Sequence, residues 1–231
     1  LVAHSNASRA LKGYNNDLST ECLETAKTVW ADEHSQPAGT GNQEQERLGG
    51  SGETEAALQL FISTKEKQYS DRFKELLWPA MEEGFMFSMR LAASAIPYMD
   101  SEYREKLMPF VQKYKAANAE IMDQHPYGVA ISTGGWAGTE NIISWSITNY
   151  LLHKSYPERI GAEYTFRGMD YIFGCHPYNN VSFVSGVGVR SKEFAYGNNR
   201  ADFSFIAGGV VPGILVLKPD FPEHMEKWPF L

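Results

Sequence analysis

Apolar side chains recur every three to four positions through most of residues 1–175, and the pattern breaks roughly every 25 to 35 residues, the spacing of helical hairpins laid in series. A chain with that rhythm buries helix stripes against one another and leaves little for a sheet. The first clear stripe is Leu18, Cys22, Leu23, Ala26, Val29 and Trp30, with Asn16 or Asp17 in place to accept the free amides of the first turn. The polar, glycine-containing stretch from Ser35 to Gly52 reads as a long flexible surface loop or lid. Ser51 then opens a helix whose Ala56, Ala57, Leu60 and Phe61 share a face, and a second helix runs from about Ser70 to Glu83 with Pro79 bending it.

Asp100 and Ser101 start a further helix carrying Leu107, Val111, Tyr114, Asn118, Ile121 and Met122, which His125-Pro126 ends. The glycine-rich segment from Tyr127 to Thr139 leads into a helix with Ile142, Ile143, Ile147, Tyr150 and Leu151 at helical spacing. Pro157 suits the first turn of the next helix, expected to reach Phe173 and stop at Gly174. Residues 174–231 change character. They hold seven glycines, and four prolines follow Gly208, so this quarter is expected as ordered loop with short extended pieces.

Composition closes several possibilities. With 43% hydrophobic and 13% aromatic residues in 231, the chain has enough apolar matter for a core, and a disordered chain is not expected. A net charge of -7 repels phosphate backbones, so no nucleic-acid partner is expected. The longest apolar run, Ala207 to Leu217, is interrupted by Pro212 and glycines and is far short of the ~20 residues of a membrane helix, so no membrane partner is expected either. Cys22 and Cys175 stand outside any paired motif and read as buried free thiols. No nucleophile elbow, phosphate loop, complete dinucleotide fingerprint or metal-ligand spacing among the six histidines is present, and neither a metal nor a cofactor is expected. The chain opens at Leu1 without an initiator methionine or a signal-peptide pattern, which reads as a processed chain or a fragment.

The chemistry-bearing stretch is Cys175 to Phe183 followed by Ala195 to Phe203, where Tyr178, Tyr196, Asn198, Asn199 and Arg200 alternate rings, amides and a guanidinium. Sugars ask for that mixture, because hydroxyls pair with planar donors and acceptors while ring C-H faces lie on aromatic surfaces. The bland alternative is a loop in which the asparagines satisfy backbone groups and Arg200 pairs with Asp202.

The order of Gly174-Cys-His-Pro, Ser182-Phe-Val-Ser-Gly-Val-Gly, Tyr196-Gly-Asn-Asn-Arg, Gly208-Gly-Val-Val-Pro-Gly and Lys218-Pro-Asp-Phe-Pro resembles the C-terminal part of glycoside hydrolase family 9. Upstream, Gly134-Gly-Trp-Ala-Gly and Gly52-Glu-Thr-Glu-Ala-Ala-Leu-Gln-Leu-Phe look like that family's barrel helices. The resemblance implies an all-α fold, part of an (α/α)6 toroid, with residues 1–231 a single incomplete catalytic domain. It implies a β-glucan as partner and inverting hydrolysis by two carboxylates ~6.5 to 9.5 Å apart. The family's water-activating aspartates would precede Leu1 and its acid glutamate would follow Leu231, so no catalytic residue is assigned, Asp202, Asp220 and Glu223 included, and the isolated chain is expected to be inactive.

By the same resemblance Arg200 would hold sugar hydroxyls at the bond-cleaving end of the cleft, with Asn198, Asn199 and Tyr196 beside it and Trp136 and Tyr178 able to stack beneath a sugar. Asn198 and Asn199 stand where many cellulases of the family carry histidines, which turns the expectation towards a β-glucosidase-like or decorated-glucan activity. A secreted or periplasmic location is expected, and a half toroid would leave apolar faces exposed and self-associate. The rivals are a noncatalytic carbohydrate-binding helical domain and a protein-binding α-solenoid.

Overall fold

The computed structural model describes residues 1–35, 43–124, 127–130, 138–175, 180–192 and 206–211. They form two compact units, Leu1–Asp100 and Ser101–Leu231.

In the first unit α1 (Val2–Leu11) and α2 (Asn16–Ser35) make a hairpin, followed by α3 (Gln43–Thr64) and α4 (Lys67–Ala95). Asn15, one residue before the expected caps, caps α2: its Oδ1 accepts from Leu18 N at 3.0 Å. The α1–α2 turn uses Gly13 at φ +89°, where a side chain would be strained. The hairpin is pinned by the buried Ser19 hydroxyl, which donates to Ser8 O at 2.7 Å. Ala26, Leu60 and Tyr69 form a core shared by α2, α3 and α4, with Leu1, Trp30 and Phe61 packed against it.

Three features of this unit differ from expectation. Helix α1 carries too few large apolar residues to announce itself; its buried positions are Ser5 and Ser8. Helix α3 begins at Gln43 rather than Ser51, because Gln43-Glu-Gln-Glu-Arg-Leu is a run of strong helix formers that outweighs the glycines after it, so part of the expected loop is helical. Helix α4 passes through Pro79 and continues to Ala95; its break is at Gly84, whose φ -160° and ψ 69° are not helical. A residue with no Cβ yields more readily there than the ring does five residues earlier.

The second unit holds α5 (Ser101–Asp123), α6 (Gly138–Ser155), α7 (Glu163–Ile172) and two short strands, β1 (Val181–Ser182) and β2 (Arg190–Ser191). Helix α5 buries Tyr103, Leu107, Phe110, Val111, Tyr114 and Asn118 along one stripe. Burial pushes the phenols of Tyr103 and Tyr114 well above the ordinary tyrosine range. Helix α6 presents Ile142, Trp145, Asn149 and Leu152 inward, whereas Ile147 and Tyr150, read from sequence as one stripe with Ile142, stay 42% and 49% exposed. Both sides of α6 are apolar, so periodicity alone did not tell inside from outside.

Helix α7 starts at Glu163, later than Pro157 suggested, because residues 157–160 form turns; its end at Gly174 is as expected. Gly168 lets α7 approach α6 closely, since an added Cβ would collide with Ser146 Oγ. The described part of the tail is loop with short extended pieces, as its glycines foretold: β1 and β2 pair in parallel, Val181 with Arg190 and Ser182 with Ser191, and Val184 bridges Val210 antiparallel. Cys175 is exposed and Cys22 half-buried, so neither is the fully buried thiol expected.

Candidate functional site

Arg200, Asn198, Asn199, Tyr196, Trp136 and Tyr178 all lie outside the described residues, as do His176, Asp202, Asp220 and Glu223. What the structure describes is the framework from which the three stretches carrying them depart. Trp136 comes two residues before α6; Tyr178 falls between Cys175 and Asn180; Tyr196 to Arg200 fall between Lys192 and Ile206.

Those departure points are tied to one another. Phe183 N donates to Ile172 O at 2.8 Å and Val211 N donates to Phe183 O at 2.8 Å, so the strand segment is held between the end of α7 and residues 206–211. Ser185 N donates to Gly209 O at 2.9 Å and Gly208 N returns a bond to Ser185 O at 2.8 Å. At the start of α6 the buried Thr139 hydroxyl donates to Val211 O at 2.8 Å. These bonds satisfy backbone groups that burial would otherwise leave orphaned.

Beneath the framework is an aromatic stack. The Tyr171 and Phe183 rings lie 5.4 Å apart at an interplanar angle of 21°, and Tyr127 meets Tyr171 edge-on at 5.4 Å. Gly174, at φ +84°, makes the exit from α7: an added Cβ would stand 2.7 Å from Ser182 N and from Val181 C, both backbone atoms that cannot move aside. Lys192, which no motif singles out, precedes the Tyr196–Arg200 run; its amide donates to Ser182 O at 2.8 Å. Burial pushes its ammonium below the ordinary lysine range.

The described residues also enclose an apolar groove of about 500 Å³ in the second unit, lined among others by Ile143, Ile147, Tyr150, Met169, Phe173 and Val210. It offers a sugar almost no polar partner, so it is a surface of another kind. Among the described residues no group of three or more His, Cys, Asp or Glu is placed to hold a metal, and no helix is long and apolar enough to cross a membrane.

The model of glycosyl hydrolase family 9 matches residues 2–213. The chain belongs to that family. No curated protein matches the sequence. Among solved structures, the family 9 endoglucanase derived from a metagenome is similar at 17% identity and a TM-score of 0.60, over 83% of this chain and 38% of that one. The cellulase Cel9M of C. cellulolyticum is similar at 19% identity and a TM-score of 0.60, over 95% of this chain and 54% of that one. The endoglucanase of the termite Nasutitermes takasagoensis gives 15% identity and a TM-score of 0.59, over 95% and 56%. At such identities the likeness fixes the fold, and it is all-α, that of part of the family 9 (α/α)6 toroid. The chain spans about half the length of the family 9 structures it matches.

Proposed function

We propose that this chain supplies the sugar-holding wall of a family 9 glycosidase that cleaves β-linked glucans with inversion, outside the cell or in the periplasm. The observation that carries the reading is the family match across residues 2–213, which takes in the whole Tyr196–Arg200 run. It is supported by relatives whose structures hold sugars: Cel9M was solved with cellobiose and AaCel9A with a cellobiose-like isofagomine. It is supported also by the hydrogen-bonded framework, which ties together the points from which the three stretches depart.

In this reading Arg200 donates to sugar hydroxyls through its planar fork, Asn198 and Asn199 pair with neighbouring hydroxyls, and Tyr196, Tyr178 and Trp136 offer flat faces to the pyranose. Inversion requires a carboxylate that takes a proton from water as its oxygen attacks the anomeric carbon. A carboxylic acid opposite gives its proton to the leaving oxygen as the glycosidic bond breaks. Both come from parts of the family 9 domain other than residues 1–231, so this chain binds without turning over. Asn198 and Asn199 in place of histidines favour terminal or decorated glucans over the interior of a plain cellulose chain.

Calorimetric titration of the 231-residue chain with β-1,4 and β-1,3 gluco-oligosaccharides, followed by mass-spectrometric product detection, tests this. Expected are binding that Arg200→Ala weakens at least ~10-fold without moving the melting temperature by more than a few degrees, and no product. Turnover by residues 1–231 overturns the placing of the acid and base, and loss of folding in the Arg200→Ala chain overturns the sugar-binding role of Arg200.

A further inference from the structure

The stretch that carries Tyr196 to Arg200 is flanked on both sides by residues bonded to one buried strip, Ser182 to Ser185. On the near side Lys192 N donates to Ser182 O at 2.8 Å. On the far side Gly208 N donates to Ser185 O at 2.8 Å, and Ser185 N donates to Gly209 O at 2.9 Å. All four residues of the strip are buried. A stretch whose two ends are fixed to the same support has less freedom left to lose when it takes a ligand.

The start of α6 reaches the same strip through the side chain of Thr139, which lies in the first turn and is 2% exposed. Near a helix start a threonine hydroxyl commonly serves the backbone of its own helix. The Thr139 hydroxyl is spent instead on Val211 O, 72 positions on, at 2.8 Å. Val211, itself fully buried, passes the connection along: its amide donates to Phe183 O at 2.8 Å, and Phe183 N donates to Ile172 O at 2.8 Å, at the end of α7. Trp136 precedes Thr139 by three residues, so at most ~10 Å of chain separates the two.

We propose that Thr139 is a positioning residue for sugar binding. Its bond to Val211 holds the start of α6, from which the Trp136 stretch departs, in register with the strip that fixes both ends of the Tyr196–Arg200 stretch. Thr139 itself touches no sugar. The proposal rests on the sugar-binding reading above and adds to it the side chain through which the two stretches are set relative to each other. A hydroxyl is required for this, because a valine of nearly the same shape fills the space but leaves the Val211 carbonyl without its donor.

Calorimetric titration with a β-1,4-linked gluco-oligosaccharide of four units, at a temperature where circular dichroism shows every variant folded, reads the outcome. Thr139→Val is expected to weaken binding at least ~5-fold, and Thr139→Ser, which keeps the donor, to stay within ~2-fold of the native chain. Arg200→Ala, expected to cost at least ~10-fold in the native chain, should cost less than ~3-fold in the Thr139→Val background, because an arginine no longer held in register has less binding to lose. A bond that only stabilises the fold leaves the cost of Arg200→Ala the same in both backgrounds. In the native chain, where no variant has to fold, bound sugar should slow hydrogen exchange at the Val211 and Phe183 amides at least ~5-fold. Native binding with unchanged affinity in Thr139→Val, an undiminished cost of Arg200→Ala, a Thr139→Ser chain no better than Thr139→Val, or exchange indifferent to sugar each overturns the role of Thr139 and leaves the sugar-binding reading standing. A native chain that takes up no oligosaccharide overturns both.

Discussion

The indole N–H of Trp145 on α6 donates to Asn118 Oδ1 on α5 at 2.8 Å, and Asn118 Nδ2 passes the chain of bonds on to Asn149 Oδ1 at 2.7 Å. Asn149 Nδ2 closes it on Trp145 O at 2.9 Å. Both asparagines are fully buried, so the network is worth most where every member is paired.

Replacing Asn118 by leucine strands a donor on Trp145 and an acceptor on Asn149 inside the core. Each orphan costs about 1 to 3 kcal/mol. Asn118→Leu is therefore expected to lower the unfolding free energy by about 3 kcal/mol, read as a lower urea midpoint at unchanged slope.

Gly174→Ala is expected to cost at least about 2 kcal/mol, because the positive φ and the 2.7 Å approach to backbone atoms of Val181 and Ser182 both penalise a methyl group. The damage is local: hydrogen exchange should speed up at Phe183 and Val211, whose amides donate across the framework, and leave α5 protected.

Acid should loosen the first unit through Glu53. Burial taken alone would raise its carboxyl, but hydrogen bonds from Arg72 and His34 win and hold it below the ordinary range. Its Oε1 accepts from Arg72 Nε at 2.8 Å and lies 3.0 Å from His34 Nε2. A depressed carboxyl lends stability above the unfolded-state value of about 4.3, and this is lost as pH falls through the folded one. Glu53→Gln should thus cost about 1 kcal/mol at neutral pH, discounted for partial exposure, and the two unfolding curves should converge below about pH 4.

Arg9 joins α1 to α3. Its Nη1 donates to Ser63 Oγ at 2.6 Å and Gln59 O at 3.2 Å, and its Nη2 to Gln59 Oε1 and Asn6 Oδ1, each at 2.5 Å. A lysine ammonium cannot reproduce that fork. Arg9→Lys should destabilise by about 1 to 2 kcal/mol and raise exchange along α1 first.

Much of the architecture could be read from the residues themselves. Helices α2 and α5 lie close to where periodicity and their starting polar residues put them, whereas α3 begins eight residues before the expected Ser51. Where packing rests on small or polar groups the pattern is silent: Ser5 and Ser8 on α1, and Gly168 on α7, matter because of what approaches them. Helix α6 misleads in the other direction, being apolar on both sides, so its outward stripe looks like core. The residues proposed to face a sugar stood out through their chemical mixture and their resemblance to the family. Lys192 did not, since its character comes from burial, which no spacing reveals.

The bond from Thr139 to Val211 spans 72 positions along the chain. Helices α6 and α7 need only a short connection to meet, and local closures of that size are fast, whereas long-range ones wait on the entropy of gathering a large loop. During synthesis α6 and α7 can therefore pair before Val211 has been made, and the described segments 181–192 and 206–211 are assembled on a surface already in place. The order in which the molecule is built thus runs from its helices to the segments that are later tied across them.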